Sequence, residues 1–454
     1  MIKPLEGLNT LRIFNSYKLH ALLIVSFNLV CAQNIIVFIS DGCGYNHIEA
    51  ASLYQYGEKD KQVYHQFPVQ YAMSTYSQNN PQYDPEKAWD TFDYVLFKPT
   101  DSAASGTALA TGVKTYNGKV GVDTNNIVLK NAVEHFEAIG KSTGVVTSVP
   151  FSHATPACFV THDTLRKNYS SIAFRMLTES SIDVIMGCGH PYYDEYGTLT
   201  DSINYKYMGG EELWKKLIRG QLGSKAEGDV NPDLWEFIDD RADFQTFMDG
   251  PTPARVIGVP KSQLSLQVTR AGNDSADAFV VPFNDNVPTL VEMTKAALNI
   301  LDDNEKGFFL MVEGGAVDWA SHGNLSGRMI EEEVDFNNSV EAAIEWVNNN
   351  SSWDKTTIIV TADHETGYLT GPSSNDSTST APGLDLWKSL TNNGKGNMPG
   401  MEWHSDDHTN SLVPFFAKGQ YAEKFREYAT NIDPVRGSYI DNTNVGQFLL
   451  SITE

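Results

Sequence analysis

The stretch Asn34-Ile35-Ile36-Val37-Phe38-Ile39-Ser40-Asp41-Gly42 decides the fold. It is a continuous apolar run, rich in β-branched residues and closed by Asp-Gly, the pattern of a strand buried on both faces of a parallel sheet. Asp41 then stands at the strand's carboxyl end. The same design returns in Gly144-Val145-Val146-Thr147-Ser148-Val149, in Gly307-Phe308-Phe309-Leu310-Met311-Val312-Glu313 and in Thr356 to His364. Alternation from Val69 to Ser77 suggests another strand, and a last signal, Ser411 to Ala417, begins just after His408. Helical patterns separate the strands. They open at Ser102, run from Asn126 to Gly140 with Val128, Leu129, Val133, Phe136 and Ile139 on one face, and recur over Asp285 to Asp303 and Arg328 to Asn350. This alternation predicts an α/β fold: a doubly wound, mostly parallel central sheet with helices on both faces and inserted surface segments.

At 454 residues the chain exceeds the usual size of one core, so one large domain with insertions or two domains are the natural choices. A formal charge of −24 and a pI near 4.8 exclude nucleic acid as a specific partner and argue against an anionic membrane surface. An acidic enzyme can still take anionic substrates if metal ions make its site locally positive. At the N-terminus Lys3, Arg12 and Lys18 precede an apolar run from Ala21 to Val30, followed by Cys31 and Ala32. That order reads as a signal peptide over residues 1–32 and an exported protein, periplasmic or extracellular, because the run is too short to span a bilayer comfortably. Residues 33–454 then form the mature chain, with insertions expected at about 191–280, where periodicity weakens, and at about 371–405, which is rich in Ser, Thr, Asn, Pro and Gly. Without Cys31, the remaining Cys43, Cys158 and Cys188 are an odd set with no metal-type spacing, so buried thiols are expected and no disulfide framework.

Asp41, Thr155, Glu313, Asp318, His322, Asp363, His364 and His408 all fall at or just beyond the carboxyl edge of a strand, or directly before the last one. In open parallel sheets that edge is where ligands bind. Singly, each has an ordinary explanation: Asp318 could cap a helix and His322 could be a solvated surface residue. Together they are the donor set for zinc, with oxygen-rich positions left for magnesium. Asp318 and His322, four apart, project from one helix face. Ser102 falls in the first turn of an Ala-rich helix with Thr100 or Asp101 as its cap, where bare N–H groups and the helix dipole favour an anion.

At these residues the chain resembles a known family. The segments NIIVFISDGCG (34–44), TDSAASGTALATGVKTYNGKVGVD (100–123), HATP (153–156), EGGAVDWASH (313–322), TADHETG (361–367) and HTNSLVP (408–414) are similar to those of secreted alkaline phosphatases, in the same order. The likeness leaves out about 191–280 and 371–405. It implies metal-dependent hydrolysis of small-molecule phosphate monoesters through a phosphoserine at Ser102. It further implies one zinc held by Asp318, His322 and His408 and a second by Asp41, Asp363 and His364, with Ser102 Oγ completing it. A magnesium would lie at Asp41, Thr155 and Glu313, with His153 beside it. Arg166 would clamp the phosphate, steadied by Asp101, and a homodimer is the candidate assembly. Lys167 rivals Arg166, and His404 rivals His408, which is preferred because it directly precedes a strand. His153 and Trp319 depart from the best-known bacterial pattern and leave the third metal open. The alternatives are a related two-metal phosphodiesterase or nucleotidase and a non-catalytic exported phosphate- or metal-binding protein; a sulfatase is disfavoured because no Cys/Ser-x-Pro-x-Arg segment occurs.

Overall fold

The computed structural model describes residues 33–224, 233–375 and 386–453, so the expected signal segment lies outside the described residues. Its strands are β1 (Asn34–Ser40), β2 (Val69–Ser74), β3 (Ser142–Pro150), β4 (Val184–Cys188), β5 (Glu236–Ile238), β6 (Val256–Gly258), β7 (Phe308–Gly314), β8 (Thr356–Thr361), β9 (Glu365–Thr366), β10 (Leu369–Thr370), β11 (Glu402–Trp403), β12 (His408–Thr409), β13 (Val413–Gly419), β14 (Asn431–Asp433) and β15 (Gly437–Asp441). Eleven of them make one sheet in the order β14-β15-β2-β13-β8-β1-β7-β3-β4-β6-β5. From β8 to β5 every pairing is parallel, while β13 runs antiparallel to both β8 and β2. The fold is α/β, with a large, mostly parallel sheet and helices around it. β9 pairs with β12 and β10 with β11 as small antiparallel ladders beyond the main sheet.

The central strands read as they do because both of their faces are covered. Every residue of β1 and β7 is buried, and each Ile, Val or Phe so placed contributes about 1.5–3 kcal/mol before entropy is subtracted. Ile39 of β1 stands opposite both Glu313 of β7 and Thr361 of β8, and Thr147 of β3 stands opposite Glu313. The carboxyl ends of β8, β1, β7 and β3 are therefore level, and the polar residues that follow them meet on one edge of the sheet.

Three features differ from the periodicity. The helix expected over Asn126 to Gly140 spans only Ala132–Ala138. Asn131 caps it, accepting from Glu134 N at 3.0 Å while Glu134 accepts from Asn131 N at 3.1 Å, which fixes the start there. Upstream, Asp123 Oδ1 accepts from the N–H groups of Asn125 and Ile127, so Val128 lies in an exposed loop bridged to Val122. Second, residues 191–280 supply β5 and β6 to one edge of the central sheet, in strands of three residues that are too short to leave a pattern. Third, β4 escaped notice because its five residues end in Gly187 and Cys188. Cys43, Cys158 and Cys188 are buried free thiols. Among the described residues no helix is long and apolar enough to cross a membrane.

The helix that carries Ser102, Ser102–Thr111, is buried throughout and is packed by the helix Thr443–Ser451. At their contact a Cβ on Gly446 would lie 2.0 Å from Gly112 N and 2.7 Å from Ala108 O, both backbone atoms that cannot swing aside. Gly446→Ala is therefore expected to destabilise the fold by about 3 kcal/mol or more. Urea unfolding measures this, and a loss under about 1 kcal/mol would mean the two helices separate easily.

Candidate active site

Ser102 opens its helix, and Asp101 is the cap, its Oδ1 accepting from Ala104 N at 2.9 Å. The other Asp101 oxygen faces away from the helix, accepting from Gly118 N and from Arg166 Nη1, each at 3.0 Å. One carboxylate thus fixes both the helix start and the guanidinium. Arg166 is half-buried against it, whereas Lys167 is exposed. Burial alone would lower the Arg166 pKa, but Asp101, as neighbour and acceptor, raises it, so the charge is held in place.

Asp318 and His322 lie on the helix Ala316–His322, which follows β7, and His408 opens β12. His322 Nε2 is 3.1 Å from His408 Nε2, and Asp318 Oδ1 is 3.4 Å from the first and 3.5 Å from the second. The far nitrogens of both rings explain this. His322 Nδ1 sits 2.6 Å from the carbonyl oxygen of Asp406 and His408 Nδ1 2.9 Å from that of Thr100. A carbonyl only accepts, so each Nδ1 carries a proton, and in the neutral ring each Nε2 presents a lone pair. Two lone pairs and a carboxylate oxygen converging within 3.5 Å repel one another unless a cation lies among them.

A second group repeats the arrangement. His364 Nε2 is 3.2 Å from Ser102 Oγ, 3.4 Å from Asp41 Oδ1 and 3.3 Å from Asp363 Oδ2. Thr366 Oγ1 gives its one proton to Asp318 Oδ1 at 2.6 Å, so it can only accept from His364 Nδ1 at 3.3 Å. His364 Nε2 is thereby left as another bare acceptor. Asp41 Oδ1 and Asp363 Oδ2 are buried without a hydrogen-bond partner, the orphans a bound cation would satisfy.

Glu313, from β7, is bonded by Thr147, and Thr155 lies in the first turn of the helix Ala154–Val160 with its hydroxyl buried and unpaired. His153 is the residue before that helix, its Nε2 also buried and unpaired and its ring 5.4 Å from the ring of Trp319. Burial pushes the Glu313 carboxyl up to about 7. Burial, then the Asp318 charge, does the same to Asp363, up to about 7, and burial with Asp363, Asp318 and Glu313 raises Asp41 well above its ordinary value. Burial, then His408 and His322, depresses His364 strongly, and burial with Arg166 and Lys206 takes His153 down to about 3. Carboxylates held toward neutrality and imidazoles held unprotonated are what a cation site looks like before its charge is counted. These donors fit two zinc-type sites, and the carboxylates and hydroxyl of Asp41, Glu313 and Thr155 fit a harder ion.

The expected donors therefore gather at the level edge of β8, β1, β7 and β3, while the contacts of His153 are with the rings of Tyr169, Tyr207 and Trp319. His404 does not join them: its Nε2 bonds Thr370 Oγ1 at 2.7 Å and its ring packs on Phe92. Sequence reading missed Thr366 and Thr147. The available signal was a hydroxyl residue in β3 at the register of Glu313, and a hydroxyl three residues after Asp363. It also missed Asp407, an exposed carboxylate grouped with His322 and His408.

The alkaline phosphatase family model matches residues 32–401. The alkaline phosphatase of Escherichia coli (strain K12) is 32% identical over 422 residues, 86% of this chain and 82% of that one. Alkaline phosphatase 4 of Bacillus subtilis is 34% identical over 281 residues, 60% of this chain and 50% of that protein. The chain thus spans half the length of that relative, and 61% of alkaline phosphatase 3 of the same organism. Among solved structures, a cold-active alkaline phosphatase from the psychrophile Shewanella sp. superposes with a TM-score of 0.63 at 25% identity, covering 92% of this chain and 99% of that one. The alkaline phosphatase of the Antarctic bacterium TAB5 gives 0.62 at 23% identity, over 93% and 98%.

Proposed function

The chain belongs to the alkaline phosphatase family, and from that premise we propose that it hydrolyses phosphate monoesters to alcohol and inorganic phosphate through a phosphoserine at Ser102. Asp318, His322 and His408 would hold one zinc, Asp41, Asp363 and His364 a second, and Asp41, Thr155 and Glu313 a magnesium with His153 alongside. Such ions would supply Lewis acidity, lowering the pKa of a neighbouring hydroxyl and neutralising charge on reacting oxygens. Arg166, held by Asp101, offers a planar fork that binds two equatorial phosphoryl oxygens and leaves the apical line of attack and departure free. The N-terminal N–H groups of the Ser102 helix add positive potential at the same place. Ser102 Oγ attacks phosphorus, the bond to the leaving alcohol oxygen breaks, and water later cleaves the Ser102–phosphorus bond.

The observation that carries this reading is the position of Ser102 Oγ, 3.2 Å from His364 Nε2 and beside the Arg166–Asp101 pair. A serine-histidine dyad using His364 as general base does not fit, because the same nitrogen is also aimed at Asp41 and Asp363. The test compares phenyl phosphate with diphenyl phosphate on metal-loaded protein. Monoester kcat/KM is expected to exceed diester kcat/KM by orders of magnitude. The reverse order would make the protein a phosphodiesterase, and turnover of neither would make it a binding protein.

A further inference from the structure

Residues 191–280 carry no residue of the cluster described above, yet they place one cation at its rim. Lys206 is exposed and opens a turn over residues 206–209, and Tyr207, next in that turn, is pinned just past the end of β3 because Ser152 Oγ donates to its carbonyl at 3.2 Å. Lys206 Nζ lies 4.6 Å from the centre of the Tyr169 ring and 4.8 Å from that of Tyr207, and it donates to the Tyr207 hydroxyl at 3.2 Å. What holds this ammonium is two ring faces and a phenol, with no carboxylate among its contacts in the described residues. Such cation–π contacts fix its position and leave its charge unneutralised.

The platform connects directly to the phosphate clamp. Tyr169 begins a helix three residues after Arg166 and acts on the Arg166 charge. The His153 ring stacks on Tyr169 at 4.9 Å and 20° and lies 5.5 Å from Tyr207. The same imidazole packs on Trp319 at 5.4 Å, next to Asp318, so one ring joins the platform that holds Lys206 to the cluster. In an acidic chain, a second cation on a platform joined to the phosphate clamp is suited to a substrate with two anionic groups.

We propose that Lys206, held on the Tyr169–Tyr207 platform, binds a second anionic group in the leaving portion of the substrate, so that the site favours phosphoryl compounds such as nucleoside diphosphates over esters of uncharged alcohols. This rests on the phosphatase reading. Lys206 binds the leaving portion; it makes and breaks no bond itself.

The test takes the ratio of kcat/KM for ADP to kcat/KM for phenyl phosphate in the full, metal-loaded protein, wild type against Lys206→Met and Lys206→Arg. The ratio is expected to fall about fivefold in Lys206→Met, through KM for ADP, as suits one partly exposed charge contact, and to return in Lys206→Arg. Raising salt should lower the wild-type ratio and leave that of Lys206→Met flat. A ratio in Lys206→Met within about twofold of wild type would overturn the inference. Failure of wild type to turn over phenyl phosphate would instead overturn the phosphatase reading, so the two failures are distinguishable.

Discussion

Ser102→Ala is expected to lower monoester turnover by at least about 10³-fold while the protein keeps its metal and its fold. The side chain is buried and contributes one hydroxyl, and its loss removes the atom proposed to receive the phosphoryl group. Alanine suits the first turn of a helix, and the cap is Asp101, not Ser102, so stability should change by less than about 1 kcal/mol. Beside the Ser102 hydroxyl, Asp41 Oδ1 and Asp363 Oδ2 also converge on His364 Nε2, and both stay when the hydroxyl is removed. Steady-state kinetics beside metal analysis of the same sample checks this. Retained turnover would move the nucleophile elsewhere, and lost metal would make Ser102 chiefly a ligand.

Removing metal is expected to abolish turnover and to destabilise the fold in a pH-dependent way. Without a cation, burial and neighbouring carboxylates hold Asp363 at about 7, and burial holds Glu313 at about 7, against ordinary values near 4. A folded-state pKa above the unfolded one means that the metal-free fold binds protons the unfolded chain has already released. The stability these groups contribute is present at low pH and is lost as pH rises through about 7. In the loaded protein a cation takes the proton's place, and its affinity rises as the ligands ionise. The gap in Tm between loaded and chelated protein should therefore be wider at pH 8 than at pH 5. Calorimetry at both values checks it; an equal gap would mean the carboxylates are neutralised by something other than metal.

The parts of this molecule legible in its sequence are those whose physics is local. β1, β7 and β8 announce themselves as apolar runs because both of their faces are covered, and an Asp, Glu or His that ends such a run has nowhere to lie but the sheet edge. His408 is preferred over His404 in the sequence because a strand signal begins just after it; the strand itself, β13, begins at Val413, and His408 lies in the short β12, paired with Thr366. What escaped depends on tertiary contacts. β4, β5 and β6 are too short to carry a period, and they exist because the parallel edge of β3 extends them. Thr366 matters only because Asp318 and His364 arrive on either side of it. Lys206 had no pattern at all, and Tyr169, 37 residues earlier, gives it a place. Over Asn126 to Gly140 the apolar spacing begins before the true helix start, which the Asn131–Glu134 capping box sets.

The central claim is that cations gathered by residues from 41 to 408 activate the hydroxyl of Ser102. Its most direct test incubates the metal-loaded protein with radiolabelled inorganic phosphate, quenches in acid and maps the labelled residue by mass spectrometry, with a chelated sample alongside. The account predicts phosphate on Ser102 in the loaded protein and none after chelation. Label on any other residue, or on Ser102 undiminished by chelation, would contradict it.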